Sequence, residues 1–228
     1  AVPGTSIGEA RERVAYEDRV SVARFLGPLV RQLHGLSLED SRYLPPSWDA
    51  FVRFLHQQWS TCVENHAQQK RMPTHLLALL AQIDTYLPPV ELLVDRTVAP
   101  SLLHCDLNED HVLGYFEESC WRPAGIIDFG DAMAGDPLYE LGALHTGLFH
   151  CDKRLLRVFL ESYGFDERLQ DHFVLRAMSF ALLHECDVVG PVFQEFPDAL
   201  KVDSLAELAT LLWDVDQPGL PGSEEAAV

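Results

Sequence analysis

The sequence predicts an α+β protein, mainly α, with a small β-unit over residues 101–130 set among helices. Three observations predict it. Apolar residues recur at helical spacing before and after that stretch. Within it the pattern changes to short apolar segments, each closed by turn residues. The chain has 228 residues, 47% hydrophobic and 23% charged, which is enough for a sizeable core, and it shows neither internal repeats nor a clear linker. One domain over 1–215 is expected, with 216–228, rich in Pro, Gly, Ser and Glu, as a frayed tail.

The elements follow in order. Val22, Leu26, Leu29, Val30 and Leu33 form the stripe of an amphipathic helix, in which Pro28 should cause a kink or mark the true start. Trp48, Val52, Leu55, Trp59 and Cys62 give a second helix after the Pro45-Pro46-Ser47 break. A third starts near Thr74 and ends before Leu87-Pro88-Pro89, and residues 90–94 are ambiguous. In the β-unit, Ser101-Leu102-Leu103 leads to Asp106, residues 112–116 read as a strand with Glu117-Glu118-Ser119 as its exit turn, and Gly125-Ile126-Ile127 leads to Asp128. Asp136-Pro137 is an N-cap with Pro at the first helical position, opening a helix through Leu141 and Leu144 towards Phe149. Asp152 caps the next helix, carrying Leu155, Leu156, Phe159 and Leu160 and stopping at Gly164. Asp166 starts a long helix through Phe173, Ala177, Phe180 and Leu183, and a final helix covers 205–213.

Composition excludes some functions. The formal net charge is −18, so neither a nucleic acid nor an anionic membrane is an expected partner, because both require clustered Lys and Arg. A cationic substrate is electrostatically favoured. No apolar run reaches membrane-spanning length, and the first residues lack the basic-then-apolar pattern of a signal peptide. Cys62, Cys105, Cys120, Cys151 and Cys186 are odd in number and scattered, which fits a reducing, cytoplasmic setting.

The chemistry concentrates in His104-Cys105-Asp106-Leu107, His111 and Ile127-Asp128-Phe129-Gly130. A lone Asp before a turn is ordinarily a cap or turn former. Two such carboxylates, with a His five residues after the first, match the H-x-D-x-x-x-x-N and D-F-G spacing of phosphoryl-transfer sites. There one carboxylate accepts the proton of the attacking hydroxyl and two further ligands hold a divalent metal on the phosphates.

These residues, with Asp131 and Gly135-Asp136-Pro137, resemble the aminoglycoside-phosphotransferase-type kinases, a superfamily that includes choline and hydroxylysine kinases. Their pattern reads HxDLxxxN or HxDLxxxH, then IDxxDxxxGDP. The segment 25–36, ending in Leu33-His34, is similar to the helix that opens the family's helical lobe. The resemblance implies a protein-kinase-like fold and ATP-dependent transfer to a hydroxyl of a small molecule. It implies Asp106 as catalytic base or hydroxyl-orienting carboxylate, and Asp128 and His111 as ligands of Mg²⁺. His111 stands where many members have Asn; imidazole shifts preference towards Mn²⁺ and weakens metal binding at low pH. His104, Asn108 and Asp136 are expected to support the loops. Asp131, near the metal site, is read as a turn former by default, the alternative being that it assists the metal, and Tyr139 and Glu140 are read as part of the following helix.

The family's N-terminal β-lobe, with a nucleotide-covering loop and a strand lysine, has no counterpart in these residues. The lysines are Lys70, Lys153 and Lys201, and no glycine-rich hairpin occurs. The chain therefore reads as the helical lobe of a longer polypeptide, with a weak activity in isolation; the alternative is a non-catalytic, pseudokinase-like binding or scaffold module. A zinc protein built on His104-Cys105, His150-Cys151 and His184-Glu185-Cys186 is disfavoured, since neighbours on a strand or two apart on a helix do not face one another.

Overall fold

A computed structural model describes residues 2, 4–67, 74–165, 172–196, 199 and 201–216. In chain order the elements are β1 (Thr5–Ser6), α1 (Tyr16–His34), α2 (Trp48–Ala67), α3 (Thr74–Leu80), α4 (Ile83–Tyr86), α5 (Val90–Leu93), β2 (Ser101–Leu103), β3 (Val112–Glu117), β4 (Cys120–Ile126) and β5 (Met133–Gly135). A 3-10 turn (Pro137–Glu140), α6 (Leu141–Ala143) and a π turn (Leu144–Leu148) run on without a break. Then come α7 (Lys153–Tyr163), α8 (Phe173–Leu182), α9 (Gly190–Glu195) and α10 (Leu205–Trp213). The class is the expected one, α+β and mainly α.

Helix α1 is the central pillar. Its apolar stripe buries Val22, Leu26 and Val30 against α7, which contributes Leu155, Leu156 and Phe159. Each such side chain, fully buried, stabilises the fold by roughly 1.5–3 kcal/mol. Gly27 allows the approach, because a Cβ there would collide with Ser162 and the Tyr163 backbone. Pro28 lies inside α1 and does not mark its start, which is at Tyr16. The caps of α7 are those the sequence predicts: Asp152 accepts from Arg154 and Leu155 N–H, and Gly164 closes the helix at φ +74°.

Two antiparallel sheets carry the site. One has the order β1-β3-β4, with Thr5 opposite Gly114 and Glu117 opposite Cys120; the other pairs β2 with β5, Ser101 opposite Gly135 and Leu103 opposite Met133. Glu118 and Ser119 both take positive φ, the geometry a two-residue hairpin needs to follow strand twist. Strand β1 was not predicted, since two residues carry no periodicity. Gly114 lies under the Trp121 ring, and Asp18 of α1 accepts from Trp121 N–H at 3.0 Å, joining helix to sheet.

Elsewhere the expectations need adjusting. The ambiguous 90–94 segment contains the short helix α5. Helix α8 is described only from Phe173, so the expected start at Asp166 lies outside the described residues, as does the tail from 217. His184 and Cys186 lie beyond the end of α8, not on a helix. Phe51 and Phe54 of α2, Tyr139 and Phe180 of α8 form one aromatic cluster at centroid separations of 5.6–6.2 Å. That cluster packs behind the catalytic-type loop. The five cysteines are free, and no helix among the described residues is long and apolar enough to cross a membrane.

Candidate active site

The β2–β5 ribbon and the β3–β4 hairpin bring their loops to one place. Strand β2 ends in His104-Cys105-Asp106, β3 begins just after His111, and β4 leads to Asp128. The distances bring Asp106, His111 and Asp128 together: His111 Nδ1 is 3.6 Å from Asp106 Oδ2, and its Nε2 is 3.8 Å from Asp128 Oδ2. His111 Nδ1 donates to the Asp106 carbonyl at 2.6 Å, so the Nε2 lone pair is left facing Asp128.

The supporting residues hold this arrangement by hydrogen bonds. Asn108 Nδ2 donates to Asp106 Oδ1 at 2.8 Å, while its Oδ1 accepts from Asp110 N–H, a local turn that fixes one carboxylate oxygen. His104 is fully buried; its Nε2 donates to the Ile127 carbonyl at 2.7 Å, linking the two loops, and its ring lies 4.7 Å from Phe129. Asp136 caps the 3-10 turn by accepting from Leu138 N–H and pairs with Arg176 at 2.7 Å. Burial pushes its carboxyl up, against the pull of the guanidinium. Asp136 thus ties to α8 and does not reach back to the catalytic-type loop itself. Asp131 is exposed at the far side of the Asp128 turn.

Glu140 makes the contact expected of Asp136. Its carboxylate is fully buried and accepts from His104 N–H at 2.7 Å through one oxygen and Cys105 N–H at 3.1 Å through the other. Glu140 does belong to the helical turn after Asp136, as expected, and it holds this loop in addition. The sequence did hold a signal: a carboxylate between Tyr139 and Leu141 in an apolar run needs buried donors. His184 was likewise missed as a support; its Nε2 donates to the Cys105 carbonyl at 3.0 Å, and its Nδ1 accepts from Cys186 N–H. Burial pushes this imidazole down, and it stacks on Tyr139 at 4.6 Å. The clamp holds Cys105 at φ +69°, an unfavourable conformation for a non-glycine residue. Gly147 of the π turn backs the loop, where a Cβ would meet the Asn108 Cβ at 3.1 Å.

Asp128 also has positive φ, +65°, which Asp tolerates through local bonding; its Oδ1 accepts from Gly130 N–H at 3.3 Å. Among the described residues no three His, Cys, Asp or Glu side chains form a cluster that closes a metal site. The donor set of one imidazole lone pair and one exposed carboxylate does suit a divalent ion that takes its remaining ligands from water and phosphate. The His-Cys pairs are otherwise occupied: His150 Nε2 lies 3.1 Å from Glu109, and His184 is spent on the backbone.

Residues 2–177 match the family model for the phosphotransferase enzyme family. The chain is 25% identical over 263 residues to lysine-specific demethylase JMJ21 of Arabidopsis thaliana, an alignment that takes in 93% of this chain and 28% of that protein. The fold is similar to the GDP complex of wild-type aminoglycoside 2'-phosphotransferase-IIIa, with a TM-score of 0.58 and 20% identity over 92% of this chain and 68% of that one. It is also similar to the GDP and kanamycin complex of APH(2")-IIia, with a TM-score of 0.58 and 23% identity over 80% and 59%. Aminoglycoside phosphotransferase APH(3'')-Id from Streptomyces rimosus matches with a TM-score of 0.52 and 17% identity over 79% and 67%. At these identities the solved structures speak to fold. The chain spans under a third of the length of that Arabidopsis protein.

Proposed function

We propose, from the premise that this chain belongs to the phosphotransferase enzyme family, that it serves transfer of the γ-phosphoryl group of ATP to a hydroxyl of a small molecule. The observation that carries the reading is His111, fixed by the Asp106 carbonyl with its Nε2 facing the Asp128 carboxylate. Asp106 accepts the acceptor's hydroxyl proton on the oxygen that Asn108 leaves open; the alkoxide oxygen bonds to the γ-phosphorus as the bond to the β-phosphate oxygen breaks. His111 and Asp128 would hold Mg²⁺, or Mn²⁺ given the imidazole. Such an ion, when bound, neutralises charge on the phosphate oxygens. The work of the chain's own residues is positioning: Glu140 and His184 fix the backbone that carries Asp106, and His104 fixes the strand end that carries Asp128.

The acceptor side favours an amine-bearing alcohol. Glu185 and Asp131 are exposed acids near Asp106; the Cys186 thiol is pushed up by burial and then by the charges of Asp106, Glu185 and Asp131. Lys153 donates to the Thr210 carbonyl, away from the site, and the sequence holds neither a strand lysine nor a glycine-rich hairpin for nucleotide cover. One preorganised donor is typically worth on the order of a hundredfold to a thousandfold in rate. The 228 residues alone are therefore a slow enzyme, and the N-lobe functions belong to the longer protein, in the cytoplasm.

Incubation with γ-labelled ATP, Mn²⁺ and a panel of amino-alcohols and sugars tests this. The expected result is slow labelling of an acceptor, lost in Asp106→Asn. Labelling untouched by that change opposes the proposal, and turnover at rates typical of whole kinases opposes the half-site reading. The match to part of a demethylase favours a second reading, a non-catalytic binding module. That reading predicts Mn²⁺–ATP binding without transfer to any acceptor.

A further inference from the structure

A cavity of about 320 Å³ adjoins the β2–β5 ribbon at Ser101 and at Asp136, which follows Gly135. Its wall is made by Arg31, His34 and Gly35 at the end of α1, Trp48 at the start of α2, and Asp95, Val98 and Ala99. Ser101, Asp136-Pro137, Tyr163-Gly164 and Arg176 complete it. Asp136 apart, none of these residues was given a part in phosphoryl transfer. The size is that of a small-molecule site, and the wall mixes an apolar side with a few converging polar groups, as such sites do.

The charges of the wall are not equivalent. Asp136 is committed to Leu138 N–H and Arg176, and Asp95 accepts from Thr97 N–H and its hydroxyl. Arg31 is committed least. Of the five donors of a guanidinium, one bonds among the described residues, Nη1 to the Tyr163 carbonyl at 3.3 Å. Gly164 at φ +74° leaves room for that group, since a Cβ there would strike Arg31 Nη1. His34 is committed as well: its side chain is 5% exposed, its Nδ1 meets Tyr163 OH at 2.9 Å, and its Nε2 lies 3.6 Å from Glu140 Oε2. The apolar side is built and held. Trp48 Nε1 donates to the Val98 carbonyl at 2.7 Å, and Arg96 pairs with Asp49 at 2.9 Å, so the loop bearing Val98 and Ala99 is fastened to α2.

We infer that this cavity binds a small organic anion, a carboxylate or phosphate on an apolar stem, with Arg31 as its anchor and Trp48 as its apolar wall. A planar guanidinium with open donors recognises such oxyanions in bidentate fashion. The chain's net charge of −18 does not forbid it, because charges beyond a Debye length of about 8 Å are largely screened at physiological ionic strength. Occupancy is felt at the catalytic-type loop. Ser101 begins the strand that ends at His104, and Asp136-Pro137 begins the turn that ends at Glu140, whose carboxylate holds His104 and Cys105 N–H. The cavity is thus an effector site, independent of whether the loop performs transfer.

Titration of the ¹⁵N-labelled 228-residue chain with benzoate and with phenyl phosphate tests the inference, with benzylamine as the opposite-charge control. Saturable shifts of the Trp48 indole and the Gly35 and Gly164 amides are expected for one or both anions and not for benzylamine. The His104 and Cys105 amides should titrate with the same constant. Arg31→Met should weaken binding at least tenfold, with Arg31→Lys in between. No saturable shift up to tens of millimolar, equal binding of benzylamine, or an unchanged constant in Arg31→Met overturns the site. Saturation at Trp48 with still His104 and Cys105 amides overturns the effector role.

Discussion

The loop carrying Asp106 is fastened from every side, whereas the loop carrying Asp128 is fastened only up to its first residue. Glu140 takes two amides of the first, His184 and His111 take two of its carbonyls, and Asn108 takes a carboxylate oxygen. The Asp106 side chain is 26% exposed. In the second loop Ile127 is held by His111 and His104, but Asp128 is 64% exposed; among the described residues its hydrogen bond is to Gly130 N–H in its own turn, with His111 Nε2 3.8 Å away, and Phe129 is exposed beside it. The lesson is about division of labour. Under the proposed function, the chain preorganises the carboxylate that would meet a hydroxyl and leaves the one that would hold the metal exposed.

Breaking the clamp should have the largest effect. Glu140→Ala leaves two buried N–H groups unsatisfied at roughly 1–3 kcal/mol each, so urea unfolding should show a loss on the order of 4 kcal/mol. For a chain of this size that lowers Tm by roughly 10 °C. Glu140→Gln, which keeps one acceptor, should lose about half as much.

Acid should loosen the same scaffold. His145 lies in the π turn behind the Asp106 loop, and burial pushes it down to about 4 from an ordinary 6.5. It is neutral when folded, so the unfolded chain alone gains a proton as pH falls below 6.5. Stability contributed by neutral His145 is full above 6.5 and falls progressively towards pH 4, by about 3 kcal/mol. Urea titrations across that window should show the slope in the native chain and a reduced slope in His145→Gln.

A smaller change sharpens the contrast. Gly147→Ala should cost about 1 kcal/mol and move the Asn108 amide resonance, because its methyl must displace the Asn108 side chain. Asp128→Asn should alter stability by less than about 0.5 kcal/mol, since the loop is exposed and Asn accepts positive φ. A large loss in Asp128→Asn would erase the distinction between the loops.

Much of this was legible in sequence. Periodicity located α1, α2, α7 and α10, the caps of α7 followed from Asp152 and Gly164, and the paired motifs brought Asp106, His111 and Asp128 together on paper. Periodicity could not see β1, whose two residues are strand only because Gly114 offers an edge. It also could not see that Glu140 and His184, about forty and eighty residues beyond His104, turn inward to hold one loop. Side chains that serve a distant backbone leave only a faint trace: a polar residue in an otherwise apolar run. The cavity beside the ribbon left none, for its wall is assembled from six separate stretches of chain.

The account rests most directly on the pairing of His111 with Asp128. Electron paramagnetic resonance of Mn²⁺ with the 228-residue chain and ATP measures it. One bound Mn²⁺ is predicted, weakened at least tenfold in Asp128→Asn and in His111→Leu, and retained in His111→Asn, with each variant folded as the native chain is. Saturable Mn²⁺ binding that is indifferent to Asp128 and His111, or no Mn²⁺ binding in the presence of nucleotide, would contradict the account.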